Sequence, residues 1–274
     1  METQQLKGYQ MPQIIRQLFE EEFANRLEVP EAVSVNSGTS ALVGALLSLD
    51  LNGGEVITTP FTFPSTVNAI VLAGGTPVFV DIDPTSSLID TNLIDDAVTD
   101  KTKAILPVHL FGRMCNMKLI MEIASSHNLI VVEDAAQALG ARYGGCKYSN
   151  QYAGTIGDIG CFSFYKTKNM SCFEGGMIIG GDSDKIRCLV DPISNSKAGW
   201  PVVGHNFRMP EPCCLIGYEK VKLHWDQALS ELGKYSEING YYPYVIYDLP
   251  MYKNLGLSGS CPHAENKAGV CKRF

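Results

Sequence analysis

The sequence predicts an α/β fold built on a mostly parallel sheet with helices over both faces. Two observations carry this. Between residues 32 and 133, apolar runs of strand length alternate with longer helical patterns, as strand–helix–strand crossovers require. In addition, 45% of the 274 residues are hydrophobic, enough for one large core with a smaller unit beside it.

The elements follow in order. Residues 12–27 read as an amphipathic helix, because Ile14, Ile15, Leu18, Phe19, Phe23 and Leu27 recur at three- and four-residue steps. A short strand at 32–35 runs into Asn36-Ser37-Gly38-Thr39-Ser40 and an apolar helix to about residue 49. Strands are expected at 55–59, 77–81, 104–108 and 129–133, with helices at 65–72, 93–98 and 117–127 between them. Residues 160–164 and 177–179 read as two further strands, a hairpin edge. The character changes after Gly181. Residues 191–205 are loop-like, with Pro192, Gly199, Pro201 and Gly204, and 211–234 read as helix with Leu215, Tyr218, Val221, Leu223 and Leu229 facing the core. The tail from Asn239 is rich in Tyr, Pro and Gly and forms no complete strand–helix–strand unit.

Composition excludes several classes. The net charge of −7 without a basic cluster argues against nucleic acid as a partner. No apolar stretch is long enough to span a membrane, and Met1-Glu2-Thr3-Gln4-Gln5 lacks a signal-peptide core. Nine cysteines, an odd count at irregular spacing with no CxxC pair, read as reduced thiols of a cytoplasmic protein, neither disulfides nor metal ligands.

In parallel sheets ligands collect beyond the C-terminal ends of the strands. Gly38, His109 and Asp134 fall at or just past such ends. Ser37-Gly38-Thr39-Ser40 suits a phosphate at a helix N-terminus, or is simply a cap after a tight turn. Asp134 closes the apolar run Leu129-Ile130-Val131-Val132, as a partner for a cation or a cap for the next turn, and Gln137 follows three residues on. Phe63, in Thr62-Phe63-Pro64-Ser65-Thr66, is placed to stack on a ring or to plug the core, and His109 reads equally well as a structural histidine. Lys168 lies in the polar loop Tyr165-Lys166-Thr167-Lys168-Asn169, with Ser163 before it, Glu174-Gly175-Gly176 after it and Lys166 as its competitor.

Lys168 stands 34 residues after Asp134. A lysine paired with an aspartate at a strand end is what pyridoxal 5'-phosphate chemistry asks for. The lysine holds the aldehyde as a Schiff base, and the aspartate keeps the pyridine nitrogen protonated so that the ring draws electrons. A nicotinamide enzyme is disfavoured, because no GxGxxG follows the first strand.

Together the segments Val35-Asn36-Ser37-Gly38-Thr39-Ser40-Ala41-Leu42, Thr62-Phe63, Pro77-Val78-Phe79-Val80-Asp81-Ile82-Asp83, Pro107-Val108-His109-Leu110-Phe111-Gly112, Glu133-Asp134-Ala135-Ala136-Gln137, Gly157-Asp158-Ile159-Gly160-Cys161-Phe162-Ser163-Phe164, Thr167-Lys168-Asn169 and Asn206-Phe207-Arg208-Met209 resemble the DegT/DnrJ/EryC1/StrS family of pyridoxal phosphate-dependent sugar aminotransferases. The resemblance implies fold type I, with a seven-stranded sheet in a large cofactor-binding domain over residues 1–205. A connecting helix and a truncated small C-terminal domain would occupy 206–274. It implies a homodimer with a shared active site. Lys168, Asp134 and His109 would be catalytic. Gly38, Thr39 and Ser163 would hold the phosphate, Phe63 would stack on the ring, Gln137 would approach the ring hydroxyl, and Asn206 would reach the phosphate of the neighbouring subunit. Glutamate would supply the amine, leaving pyridoxamine phosphate, and a nucleotide-linked keto sugar would take it. Lysine at the Schiff-base position favours transamination over the dehydration performed by a branch with histidine there.

The chain departs from the family pattern in four ways. It is short at both ends, and the recognisable Asp248-Leu249-Pro250-Met251-Tyr252 arrives early. Lys166 stands where proline is usual, and Phe173 where glycine is common. These departures leave an alternative, a reduced family member that binds the cofactor or a partner without turnover.

Overall fold

In a computed structural model of the chain, which describes residues 2–192, 202–230 and 242–271, one seven-stranded sheet carries the fold. Its strands are β1 (Ala32–Val35), β2 (Glu55–Thr58), β3 (Thr76–Phe79), β4 (Thr102–Ile105), β5 (Ile130–Asp134), β6 (Ile159–Ser163) and β7 (Gly176–Gly180). They lie in the order β1-β7-β6-β5-β4-β2-β3. The run from β3 to β6 is parallel throughout, and β7 is antiparallel to both of its neighbours. The expected hairpin of β6 and β7 therefore exists, but it is not an edge. β1 pairs outside it over four residues and takes the edge, which lets all four of its own residues be buried.

The helices are α1 (Glu2–Leu27), α2 (Gly38–Leu47), α3 (Pro64–Leu72), α4 (Met117–His127), α5 (Ser183–Val190), α6 (Glu211–Leu223), α7 (Trp225–Ser230), α8 (Pro250–Asn254) and α9 (Pro262–Cys271). α4 matches its expected bounds, whereas α1 starts ten residues earlier than the apolar periodicity suggested. The helix expected at 93–98 is two 3-10 turns, Thr91–Leu93 and Asp95–Ala97, the first capped by Asp90, whose carboxylate accepts from Asn92 N at 3.0 Å. α5 was not expected. It spans only eight residues, and Asp182 caps it by accepting from Lys185 N at 3.0 Å. The helix expected over 211–234 breaks at His224 into α6 and α7, and 231–241, like 193–201 in the expected loop, lie outside the described residues.

The buried face of α6 differs in part from the expectation: Val221 is buried and Tyr218 packs against the core as read, but two leucines do not. Cys214, Gly217 and Val221 turn inward, while Leu215 and Leu223 are 46% and 63% exposed. The reason is size: a Cβ on Gly217 would stand 2.6 Å from the Phe19 ring, so small residues admit α1 where leucine would not fit. α1 and α6 enclose an aromatic cluster over β6. Phe23 lies 5.3 Å from Phe162, 5.6 Å from Phe164 and 6.3 Å from Trp225, all at steep edge-on angles.

The C-terminal segment covers the neighbouring part of the same sheet face, over Ile57, Ile105 and Val131. Tyr242, Val245, Tyr247 and Ala264 join the cluster around β4 and α4, and Ile246 and Tyr252 close over Val67 of α3. The buried Asp81 carboxylate accepts from His263 N at 2.9 Å and Ala264 N at 2.8 Å, and so ties the first turn of α9 to the end of β3.

Phe23→Ala removes the ring at the centre of the α1 cluster. It is expected to lower unfolding stability by about 3–5 kcal/mol in urea titration.

Candidate active site

Asp134 ends β5 and Ser163 ends β6, while Gly38 opens α2 directly after β1 and beside the start of β7, so the expected residues meet at one end of the sheet. Ser37 caps α2, its hydroxyl accepting from Ser40 N at 3.1 Å. A Cβ on Gly38 would stand 2.6 Å from the Ser163 Cβ, so only glycine allows the helix start this close to β6. Thr39 Oγ1 lies 2.7 Å from Ser65 Oγ, which joins the first turns of α2 and α3. Hydroxyls and helix N-termini gathered in this way favour an anion.

Asp134 is 5% exposed. Its Oδ2 accepts from Thr66 Oγ1 at 2.9 Å and its Oδ1 from Ala136 N at 3.1 Å. Burial pushes its pKa above 3.8, and these two donors and the Lys168 charge oppose the rise. Lys168 is half-buried in a turn where its N–H donates to Tyr165 O at 2.9 Å. Burial lowers the Lys168 pKa below 10.5, against the pull of Asp134. Its side-chain nitrogen makes no hydrogen bond or ion pair with any described residue. The competitor Lys166 is exposed and sits over the Tyr165 ring at 5.7 Å.

Glu133 and His109 lie beneath this pair, both fully buried. Glu133 accepts from His109 Nε2 at 2.8 Å, Gly154 N at 2.9 Å, Ile156 N at 2.7 Å and Gly157 N at 2.5 Å. His109 Nδ1 accepts from Cys115 N at 3.2 Å, so the ring proton is on Nε2 and neither nitrogen is free. His109 thus differs from the other expected residues. Its ring is bound into the framework, and its N–H donates to Asp134 O at 3.0 Å.

The Gln137 carboxamide is also engaged. Its Oε1 accepts from Phe111 N at 3.2 Å and its Nε2 donates to Tyr242 Oη at 2.5 Å. Phe63 is 54% exposed, so it plugs no core and its ring is available to stack. Asn206 is exposed beside Phe207, whose carbonyl accepts from Asn36 N at 2.7 Å. Phe173 holds a left-handed φ of 67° with 69% of its surface exposed, a conformation that glycine adopts without strain.

The residues fit pyridoxal phosphate. They offer a helix N-terminus with hydroxyls for the phosphate, an exposed aromatic ring, a buried carboxylate and a lysine unpartnered among the described residues in one place. Sequence reasoning missed Ser65, Thr66 and Tyr242. The first two stood in the Phe63 segment as hydroxyls at a helix start. Tyr242 carried no signal, because its contact with Gln137 spans 105 positions.

The chain resembles several known proteins. GDP-perosamine synthase of Caulobacter vibrioides is 39% identical over 236 residues, covering 78% of this chain and 62% of that protein. The Escherichia coli O157:H7 GDP-perosamine synthase is 41% identical, covering 75% and 57%. The chain thus spans about three-fifths of the length of these relatives. Among solved structures, S. venezuelae DesV in complex with a ketimine intermediate aligns at a TM-score of 0.81 and 30% identity, covering 93% of this chain and 81% of that one. The E. coli GDP-4-keto-6-deoxy-D-mannose-3-dehydratase with bound hydrated pyridoxal phosphate aligns at 0.66 and 26% identity, covering 82% and 66%. The α/β architecture is theirs, fold type I of the pyridoxal phosphate-dependent transferases. The family model matches residues 9–231, and the chain belongs to the DegT/DnrJ/EryC1/StrS aminotransferase family.

Proposed function

We propose that this protein is a pyridoxal phosphate-dependent aminotransferase that moves an amino group from glutamate to a nucleotide-linked keto sugar. The observation that carries the reading is Lys168, half-buried, bonded through its side-chain nitrogen to no described residue and within electrostatic reach of the buried Asp134. The names of the relatives support a nucleotide-linked sugar as acceptor. When bound, the cofactor supplies an electron sink for breaking a C–H bond next to an amine.

The chain's own residues do the rest. Burial of Lys168 raises the share of free amine able to add to an aldehyde, and the same Nζ takes a proton from the substrate carbon and returns it. Asp134, held by Thr66 and Ala136, keeps a proton on the pyridine nitrogen. The first turn of α2, with Gly38, Thr39 and Ser163, binds the phosphate, and Phe63 stacks on the ring. His109 acts through Asp134, whose carbonyl it holds.

The reading includes a homodimer in which Asn206 serves the neighbouring site, and Asn206 exposure supports it. It includes a cofactor-holding unit over 1–205, a smaller unit over 206–274 and a cytoplasmic setting. The nine cysteines, an odd count at irregular spacing with no CxxC pair, support the last. No helix among the described residues is long and apolar enough to cross a membrane.

With pyridoxal phosphate the purified protein is expected to turn yellow and to bleach with glutamate. Lys168→Ala removes the band and lowers turnover by about 10²–10⁴-fold or more. A band that forms and never bleaches would contradict amine transfer and favour a binding role without turnover. Asp134→Asn makes an opposite pair of changes. The folded pKa of Asp134 is raised, so its contribution to stability falls as pH climbs through and above 3.8. The cofactor-free variant is therefore expected to melt at a higher temperature than the parent at pH 7, with the gain fading as pH falls toward 3.8, while glutamate bleaching slows by about 10²-fold or more.

A further inference from the structure

Tyr242 reaches the site from a distant part of the chain. Its hydroxyl takes the Gln137 Nε2 hydrogen bond at 2.5 Å, and its ring is 1% exposed, edge-on to Phe61 at 5.4 Å and tilted against Phe111 at 6.2 Å. On the other side of the carboxamide, Phe111 N donates to Oε1 at 3.2 Å. A backbone N–H only donates, so this bond fixes which end of the amide is oxygen. Nε2 then faces Tyr242 with one N–H and keeps its second for another acceptor. Phe111 itself sits at a left-handed φ of 56°, so the backbone on that side is also specifically set.

The segment that carries Tyr242 is anchored to the same site elsewhere. The Tyr252 hydroxyl shares its proton between Asn68 Oδ1 at 2.8 Å and Pro64 O at 3.0 Å, at the start of α3. That turn bears Ser65 and Thr66, the partners of Thr39 and Asp134. Asp81 holds the start of α9. Docking of 242–271 and the shape of the site are thus one arrangement.

We infer that Tyr242 is a positioning residue for the cofactor site: its hydroxyl aligns the Gln137 carboxamide so that the second N–H is held for the ring hydroxyl of pyridoxal phosphate. This rests on the function proposed above. It makes the C-terminal segment part of cofactor recognition, and by linkage the cofactor tightens the docking of that segment.

The test uses the full chain with Tyr242→Phe, Gln137→Ala and the double variant, titrated with pyridoxal phosphate and followed by the visible band. Tyr242→Phe keeps the ring and removes only the hydroxyl. It is expected to weaken cofactor binding about fivefold and to shift the band, with the double variant no weaker than Gln137→Ala alone. In urea titration of the cofactor-free chain the two substitutions are expected to be non-additive in the same sense. Binding and band unchanged in Tyr242→Phe, or losses that simply multiply, would overturn the inference while the wild-type band keeps the functional reading standing. No band in the wild type would overturn that reading itself. If Tyr242→Phe does not fold, amide exchange over 242–271 in the wild type decides. Slower exchange with pyridoxal phosphate supports the coupling, and unchanged exchange overturns it.

Discussion

The Glu133 carboxylate is the interaction around which the site is built. It is fully buried and takes four donors: the His109 ring and the N–H groups of Gly154, Ile156 and Gly157. Those donors come from the loop after β4 and the loop before β6, so one side chain of β5 ties three neighbouring strands together beneath the ligand end of the sheet. Removing such a charge's partners, or the charge itself, leaves buried polar groups unpaired at about 3–5 kcal/mol. Asp134 is the next residue, and its place depends on this clamp below and on Thr66 above. A carboxylate stays charged in a buried setting only when its surroundings are built around it.

Function and stability pull against each other at that point. Asp134 and Lys168 are both shifted by burial toward their neutral forms, and each is drawn back by the other's charge. Neither satisfies the other through a direct ion pair. Both are left to act on something that enters between the helix starts and the Lys168 loop. Phe173 adds strain on the same loop, with a left-handed φ and an exposed ring. Strain and unpaired charge collected in one place mark a site shaped for a ligand.

Much of this was legible in the sequence. Parallel strands buried on both faces read as short apolar runs, so β1 to β6 and the first four helices were recognisable. Asp134, His109 and Gly38 stood out because their residue types sit at strand ends, and Lys168 because it follows Asp134 by 34 residues in a polar loop. Other features depend on contacts that no local pattern encodes. The interior place of β7 follows from its pairing with β1, more than 140 positions away. The inward face of α6 is chosen by Phe19 fitting over Gly217, which hydrophobicity alone misassigns to Leu215 and Leu223. α5 is too short and too polar at its start to give a periodic signal. His109 could be read either as catalytic or as structural until the bonds to Glu133 and Cys115 were visible. Tyr242 lay in a tail with no recognisable unit.

The central claim is that Lys168, and not Lys166, is the amine that the buried Asp134 serves. Borohydride trapping of pyridoxal phosphate on the full chain, followed by peptide mass spectrometry, tests it most directly. The account predicts a single stable adduct on Lys168 that disappears in Lys168→Ala. An adduct on Lys166, labels scattered over exposed lysines, or no adduct at all would contradict it.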